Sequence, residues 1–332
     1  MMGMQQLKNE LAGFIEFDDF TSVLKSKASV QYPKSRSKLE GFKTFGDAAR
    51  KNLDLAFSNI PPEIVTRENL LKEIEIFSGI SNRLEIEEGL KEYGLETFFK
   101  PSTENKPSLI IVISGNMGFC GKYNRDVNFL AEELIEELSN KSKPNIITIG
   151  KKSTEYFSFS RQIPSDNKLV FPEKNEDEKK DLSNYILKKK ILEPYLKREI
   201  SQVFVIYDSF DDKSEPPRIQ IKPVKVKLLP LGKMEIKKSD YLDRKMVFEP
   251  SPLICISYLI REYLFSLMMS YFFEAETSEN YARMIAMNQA SEAIKEAIDK
   301  KESEIRKTRQ TQITKELVEI ISGAEALKNR EK

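Results

Sequence analysis

A chain of 332 residues can bury a sizeable core and would ordinarily hold about two domains. With 53 Lys+Arg against 52 Asp+Glu the net charge is +1, so no bulk field argues for nucleic acid or an anionic membrane, and the absence of His and Trp removes the usual imidazole base and the commonest zinc ligand. Two cysteines, Cys120 and Cys255, offer no disulfide framework and fit a reducing compartment, and the opening MMGMQQLKNE lacks the apolar run of a secretory signal.

Leu7, Leu11, Phe14, Ile15 and Leu24 mark a weak apolar stripe on a first helix. Pro33 is expected to end or kink that helix near Tyr32, because proline removes one backbone donor and clashes with the preceding turn. Residues 37 to 106 read as mostly helical, broken at Pro61-Pro62 and again at Lys100-Pro101. An α/β segment follows. SLIIVIS (108 to 114) reads as a buried strand, VNFLAEELIEEL (127 to 138) as a helix, NIITIG (145 to 150) as a strand, DLSNYILKKKILEPYLK (181 to 197) as helical and QVFVIYDSF (202 to 210) as a strand. Strands alternating with helices imply a small, mainly parallel sheet. The charged runs EKNEDEKKD (173 to 181) and DDKSEPPR (211 to 218) read as solvated loops.

The stretch SGNMGFCGKYN (114 to 124) tests as a phosphate loop and fails. Counting back from Gly121-Lys122 puts Asn116 where the first glycine belongs, and Tyr123 stands where the magnesium-binding Ser or Thr would be. A tight strand-to-helix turn is the simpler reading.

The segment 251 to 273 is the one membrane candidate, but Arg261 and Glu262 near its centre would each cost about 2.5 to 3.5 kcal/mol, which favours a helix buried in protein. From Leu253 to Ser322 there is neither Gly nor Pro. Such a run as one helix would extend roughly 105 Å at 1.5 Å per residue. Beyond Glu279 it thins to a seam of Ile294, Ile298, Ile305, Ile313, Leu317 and Ile321, which needs a partner helix, and Gly323 is a natural stop. The N-terminal helix is the expected partner.

Two C-terminal stretches carry a family pattern: SENYARMIAMNQA (278 to 290) and KTRQTQITKELVEIISGAEAL (307 to 327). Both resemble the signatures of the γ subunit of F-type ATP synthases, S-E-x-x-A-R-M-x-A-M-x-x-A and K-x-R-Q-x-x-I-T-x-E-L-x-E-I-x-x-G-A. GNMGFCGKYN is similar to that family's D-R-G-L-C-G-G-L-N loop, keeping Gly118, Cys120, Gly121 and Asn124. The likeness spans about residues 107 to 328, whereas NELAGFIEFDDFTSVLKSKASV (9 to 30) replaces the family's basic opening helix with acidic and aromatic residues.

The resemblance implies a mixed α+β, α/β fold: a long antiparallel coiled coil of N- and C-terminal helices with an inserted Rossmann-like α/β domain. The implied divisions are an N-terminal helical segment at 1 to 106, an α/β domain at 107 to 249 and a long C-terminal coiled-coil helix at 250 to 332. It also implies a central-stalk rotor of a rotary ATP synthase or ATPase, with no active site, cofactor or metal in this chain and Mg-ATP held by partner subunits. Implied partners are the α and β subunits of the catalytic hexamer, an ε-type stalk subunit and a membrane ring or alternative load, without nucleic acid, at the cytoplasmic face of the cell membrane as a peripheral complex. Arg283, Gln310, Thr314, Glu316 and Cys120 are the implied partner contacts. A γ-like rotor of an F-like ATPase driving other mechanical work, such as gliding motility, is the alternative. A nucleotide-binding enzyme and a coiled-coil scaffold are rivals that the failed loop and the interposed α/β domain respectively disfavour.

Overall fold

A computed structural model describes residues 3–59, 98, 106–160, 163–172, 175–210, 220–231, 247–249 and 252–328. The order is α1 (Met4–Asn59), β1 (Leu109–Ile113), α2 (Tyr123–Ser139), β2 (Asn145–Ile149), α3 (Lys151–Ser160), β3 (Lys168–Leu169), α4 (Glu176–Tyr185), α5 (Glu193–Leu196), β4 (Val203–Phe210), β5 (Ile221–Leu229) and α6 (Pro252–Lys328). The expected breaks at Pro61-Pro62 and Lys100-Pro101 and the charged run 211 to 218 lie outside the described residues.

The chain divides into two compact units, one of residues 1–30 with 283–332 and one of residues 31–282. The second holds a five-stranded sheet in the order β3-β2-β1-β4-β5. The first four strands run parallel and β5 pairs antiparallel with β4. Every side chain of β1 is buried, as the unbroken run LIIVI requires of a strand covered on both faces. One face packs Ile110, Val112, Phe204 and Ile206 against Val127, Ala131, Leu134 and Ile135 of α2 and Phe157 of α3. On β4 the alternate residues turn to the other side, where the Tyr207 ring stacks on Tyr271 of α6 at 5.0 Å. Within the same unit α1 lays Phe42 on Phe273 of α6 at 5.4 Å. This is the apolar part of α6 that needed a protein cover, and among the described residues no helix is long and apolar enough to cross a membrane.

The first unit pairs the start of α1 with α6. Leu7, Thr21, Leu24 and Ala28 are buried, as are Met287 and Ile294. Polar contacts set the antiparallel register: Lys25 Nζ donates to Asn288 Oδ1 at 2.6 Å, Ser291 Oγ donates to Asp18 Oδ1 at 2.7 Å, and Lys301 meets Glu10 at 2.9 Å.

Four local expectations need correction. Pro33 does not stop α1, which continues to Asn59. Tyr32, beside the proline, packs on Tyr281 of α6 at 5.4 Å, a tertiary contact that offsets the hydrogen bond Pro33 cannot make. Gly323 lies inside α6, because glycine permits a left-handed stop without compelling one. Ile15 is 47 % exposed and falls off the stripe. The charged run 173 to 181 is partly helix: Asn175 caps α4 by accepting from the Asp177 N–H, and Glu176, Asp177 and Glu178 in its first turn favour the positive end of the helix dipole.

Candidate partner interface

Among the described residues, the side-chain bonds along the C-terminal end of α6 are short-range ones within the helix. Thr311 Oγ donates to the Lys307 carbonyl at 3.0 Å and Thr314 Oγ to that of Gln310 at 2.9 Å, while Lys315 and Glu319 approach at 3.9 Å. From Arg309 to Ala324 every residue is exposed. The seam therefore ends near Thr308. Ile313, Leu317 and Ile321, which continue its spacing, are about half exposed, and Val318 and Ile320 join them. This exposed helix end bears five large apolar side chains among Lys, Gln and Glu, the kind of surface that marks an interaction site.

Of the implied contact residues, Gln310, Thr314 and Glu316 share this exposed end. Arg283 does not: it is buried at 9 % exposure. Cys120 is buried too, in the turn between β1 and α2, where the Asn124 amide donates to its Sγ at 3.1 Å. Arg283, Gln310, Thr314 and Glu316 belong to the first compact unit and Cys120 to the second.

That turn is built around Asn116 and Asn124. Asn124 Oδ1 accepts from the Gly115 N–H at 2.9 Å, and Asn116 Oδ1 accepts from the N–H groups of Lys151 and Phe171 at 3.2 and 3.3 Å. Phe119 and Gly121 have φ of 62° and 60°, which accounts for a glycine at the second of these positions. The Glu279 carboxylate lies against Gly115, so close that a Cβ there would stand 2.4 Å from Glu279 Oε1. A phosphate approaching the loop would meet that negative charge.

Sequence reasoning missed a set of charges that join the α/β domain to the helices around it. Lys179 of α4 is 3 % exposed, meets Glu276 of α6 at 2.9 Å and sits 5.2 Å from the centre of the Phe273 ring. Glu176 bonds to Lys38 of α1, and hydrogen bonds from Lys38 and then Lys180 hold its carboxyl below the usual range. Glu274 of α6 accepts from Ser209 of β4 and lies 3.7 Å from Lys43 of α1. The available signal was the run FFEAETSE: Glu274, Glu276 and Glu279 stand in an otherwise apolar or small-residue part of the long helix, where a charge needs a partner.

A family profile described as ATP synthase matches residues 3–327. The ATP synthase gamma chain of Cytophaga hutchinsonii is 32% identical over 249 residues, covering 72% of this chain and 80% of that one. The ATP synthase gamma chain of Geotalea daltonii is 30% identical over 223 residues, covering 67% of this chain and 74% of that one. Among solved structures, a chain of the Euglena gracilis mitochondrial ATP synthase in its third rotational state aligns with a TM-score of 0.49 at 16% identity, covering 92% of this chain and 97% of that one. A chain of the central stalk and ring of the Tetrahymena thermophila mitochondrial ATP synthase gives 0.46 at 16% identity, covering 82% and 99%.

Proposed function

The chain belongs to the ATP synthase gamma chain family, and from that premise we propose that it is the central-stalk rotor of a rotary ATP synthase, coupling rotation to ATP synthesis or hydrolysis in a hexamer of α and β subunits. The observation that carries the reading is the family match over residues 3–327, on a chain whose longest helix ends in a bare, partly apolar surface. Mg-ATP is then bound and turned over by the partner subunits. This chain contributes shape: an exposed helix end enters the hexamer, and its asymmetric bulk biases the catalytic subunits in turn. Gln310, Thr314 and Glu316 are the contacts we assign to that surface. An exposed ion pair is worth about 0.2 to 1 kcal/mol, so the load is spread over the helix rather than carried by one bond.

The α/β domain then sits toward the ring, where an ε-type subunit and the membrane ring attach, at the cytoplasmic face of the membrane. The buried Lys179–Glu276 pair and the Glu274 contacts fix the α/β domain to the adjoining part of α6, as passing torque to a shaft requires.

The test is single-molecule rotation. The full chain, assembled with α and β subunits on a surface and carrying a bead on α2, is expected to turn unidirectionally on addition of Mg-ATP. Failure to assemble with the hexamer, or assembly with ATP hydrolysis but no rotation, overturns the proposal.

A further inference from the structure

Asp208 is the one acidic residue of β4, and it is 1 % exposed. Neither of its carboxyl oxygens meets a hydrogen-bond partner among the described residues. By the alternation of the strand it shares a side with Phe204 and Ile206, which pack on α2. Its cross-strand neighbour on β5 is Pro223, which has no N–H or charge to offer. The charge from α2 that acts on it is Asp126, of the same sign, itself 3.3 Å from Arg125. Lys225, two residues along β5 on that side, is already engaged with Glu137 of α2 at 3.0 Å. On the neighbouring β1 the corresponding side carries Val112 and Ser114, which do not titrate. Glu274 of α6 lies across the strand, on the side of Ser209. Among the described residues a carboxylate in this place would be a buried charge with no hydrogen-bond donor and no ion-pair partner, Lys227 on the same side lying over the Phe204 ring instead, a state that folded proteins avoid by taking up a proton.

We propose that Asp208 is a proton-binding site that regulates how firmly the sheet grips the long helix: protonated, its carboxyl allows the end of β4 to stay closed against α2, and ionised, it loosens that end. The flanking residues make the consequence specific. Tyr207 stacks on Tyr271 and Ser209 donates to Glu274, so contacts of β4 with α6 lie on either side of Asp208. Only this consequence, a change in torque transfer, rests on the rotor reading; the proton site does not.

Burial first, and the Asp126 charge second, push the Asp208 carboxyl up to about 8. The folded chain therefore holds a proton that the unfolded chain has released above the ordinary aspartate range. The contribution of this carboxyl to stability is full below about pH 4, declines as pH rises and levels off above about pH 8, with at most a tenfold change in the folding equilibrium per pH unit.

The experiment is infrared difference spectroscopy of the full chain with 13C-labelled aspartate, paired with hydrogen exchange of β4 after correction for the intrinsic pH dependence. At pH 6 the wild type is expected to show the carbonyl band of a buried protonated carboxyl, lost by pH 10, with β4 protection falling about tenfold or more between pH 6 and 9. Asp208→Asn should lack both the band and the fall in protection. Asp126→Asn should move the transition to lower pH. A wild-type chain with no protonated aspartate at pH 6, or a fall in β4 protection unchanged in Asp208→Asn, overturns the proposal. Neither readout requires assembly or rotation, so failure here is separable from failure of the rotor function.

Discussion

Lys179 and Gly115 show how single positions fix the α/β domain to its surroundings. The Lys179–Glu276 pair is enclosed on both sides, at 4 % and 13 % side-chain exposure, so removing one member takes away a buried counter-charge. Lys179→Ala is expected to destabilise the full chain by about 3 kcal/mol in denaturant titration, whereas Lys179→Met with Glu276→Leu should recover most of that loss. At Gly115 the obstacle is steric. A methyl group there would overlap the Glu279 carboxylate, and the Gly115 N–H must still reach Asn124, so Gly115→Ala should cost about 1 to 3 kcal/mol, read as a lower melting temperature. The same Glu279 carboxylate makes the turn hostile to phosphate. Calorimetric titration of the chain with Mg-ATP should give no binding in the micromolar range, and such binding lost in Lys122→Ala would contradict this account of the loop.

At the scale of elements, α6 changes character along its length. Around Phe272 and Phe273 it is enclosed, near Ile294 it is a seam, and past Thr308 it is bare. Substitutions should follow that gradient. Ile294→Ala, at 6 % exposure, is expected to cost about 2 to 4 kcal/mol in unfolding free energy, since it leaves a cavity in a two-helix contact. Leu317→Asp, at 54 % exposure, should change the stability of the free chain by less than about 0.5 kcal/mol. It should nevertheless weaken co-purification with the hexamer, because the cost of a buried charge appears only once a partner covers the helix. If Leu317→Asp unfolded the chain or left assembly untouched, the assignment of this surface would be wrong.

For the molecule as a whole, the exposed apolar end of α6 predicts poor behaviour in isolation. The purified chain is expected to self-associate in light scattering at micromolar concentration and to be rescued by α and β subunits; a monomeric, fully soluble chain would argue that the end needs no cover. The sequence by itself determined the long helix, through seventy residues without Gly or Pro, and the parallel strands, through runs such as LIIVI that make sense only when both faces are covered. It also determined the family, because two signatures and a turn retain their residue order whatever the packing around them. It took the folded chain to show that Pro33 stays inside a helix, that 173 to 181 holds a buried lysine, that Arg283 and Cys120 are covered, and that Asp208 meets no hydrogen-bond partner among the described residues. The physical reason is range. Helix and strand periodicity are set by neighbours within a few residues, whereas the fate of a charge or a proline depends on groups brought near from far along the chain, as Lys179 is to Glu276 across 97 residues.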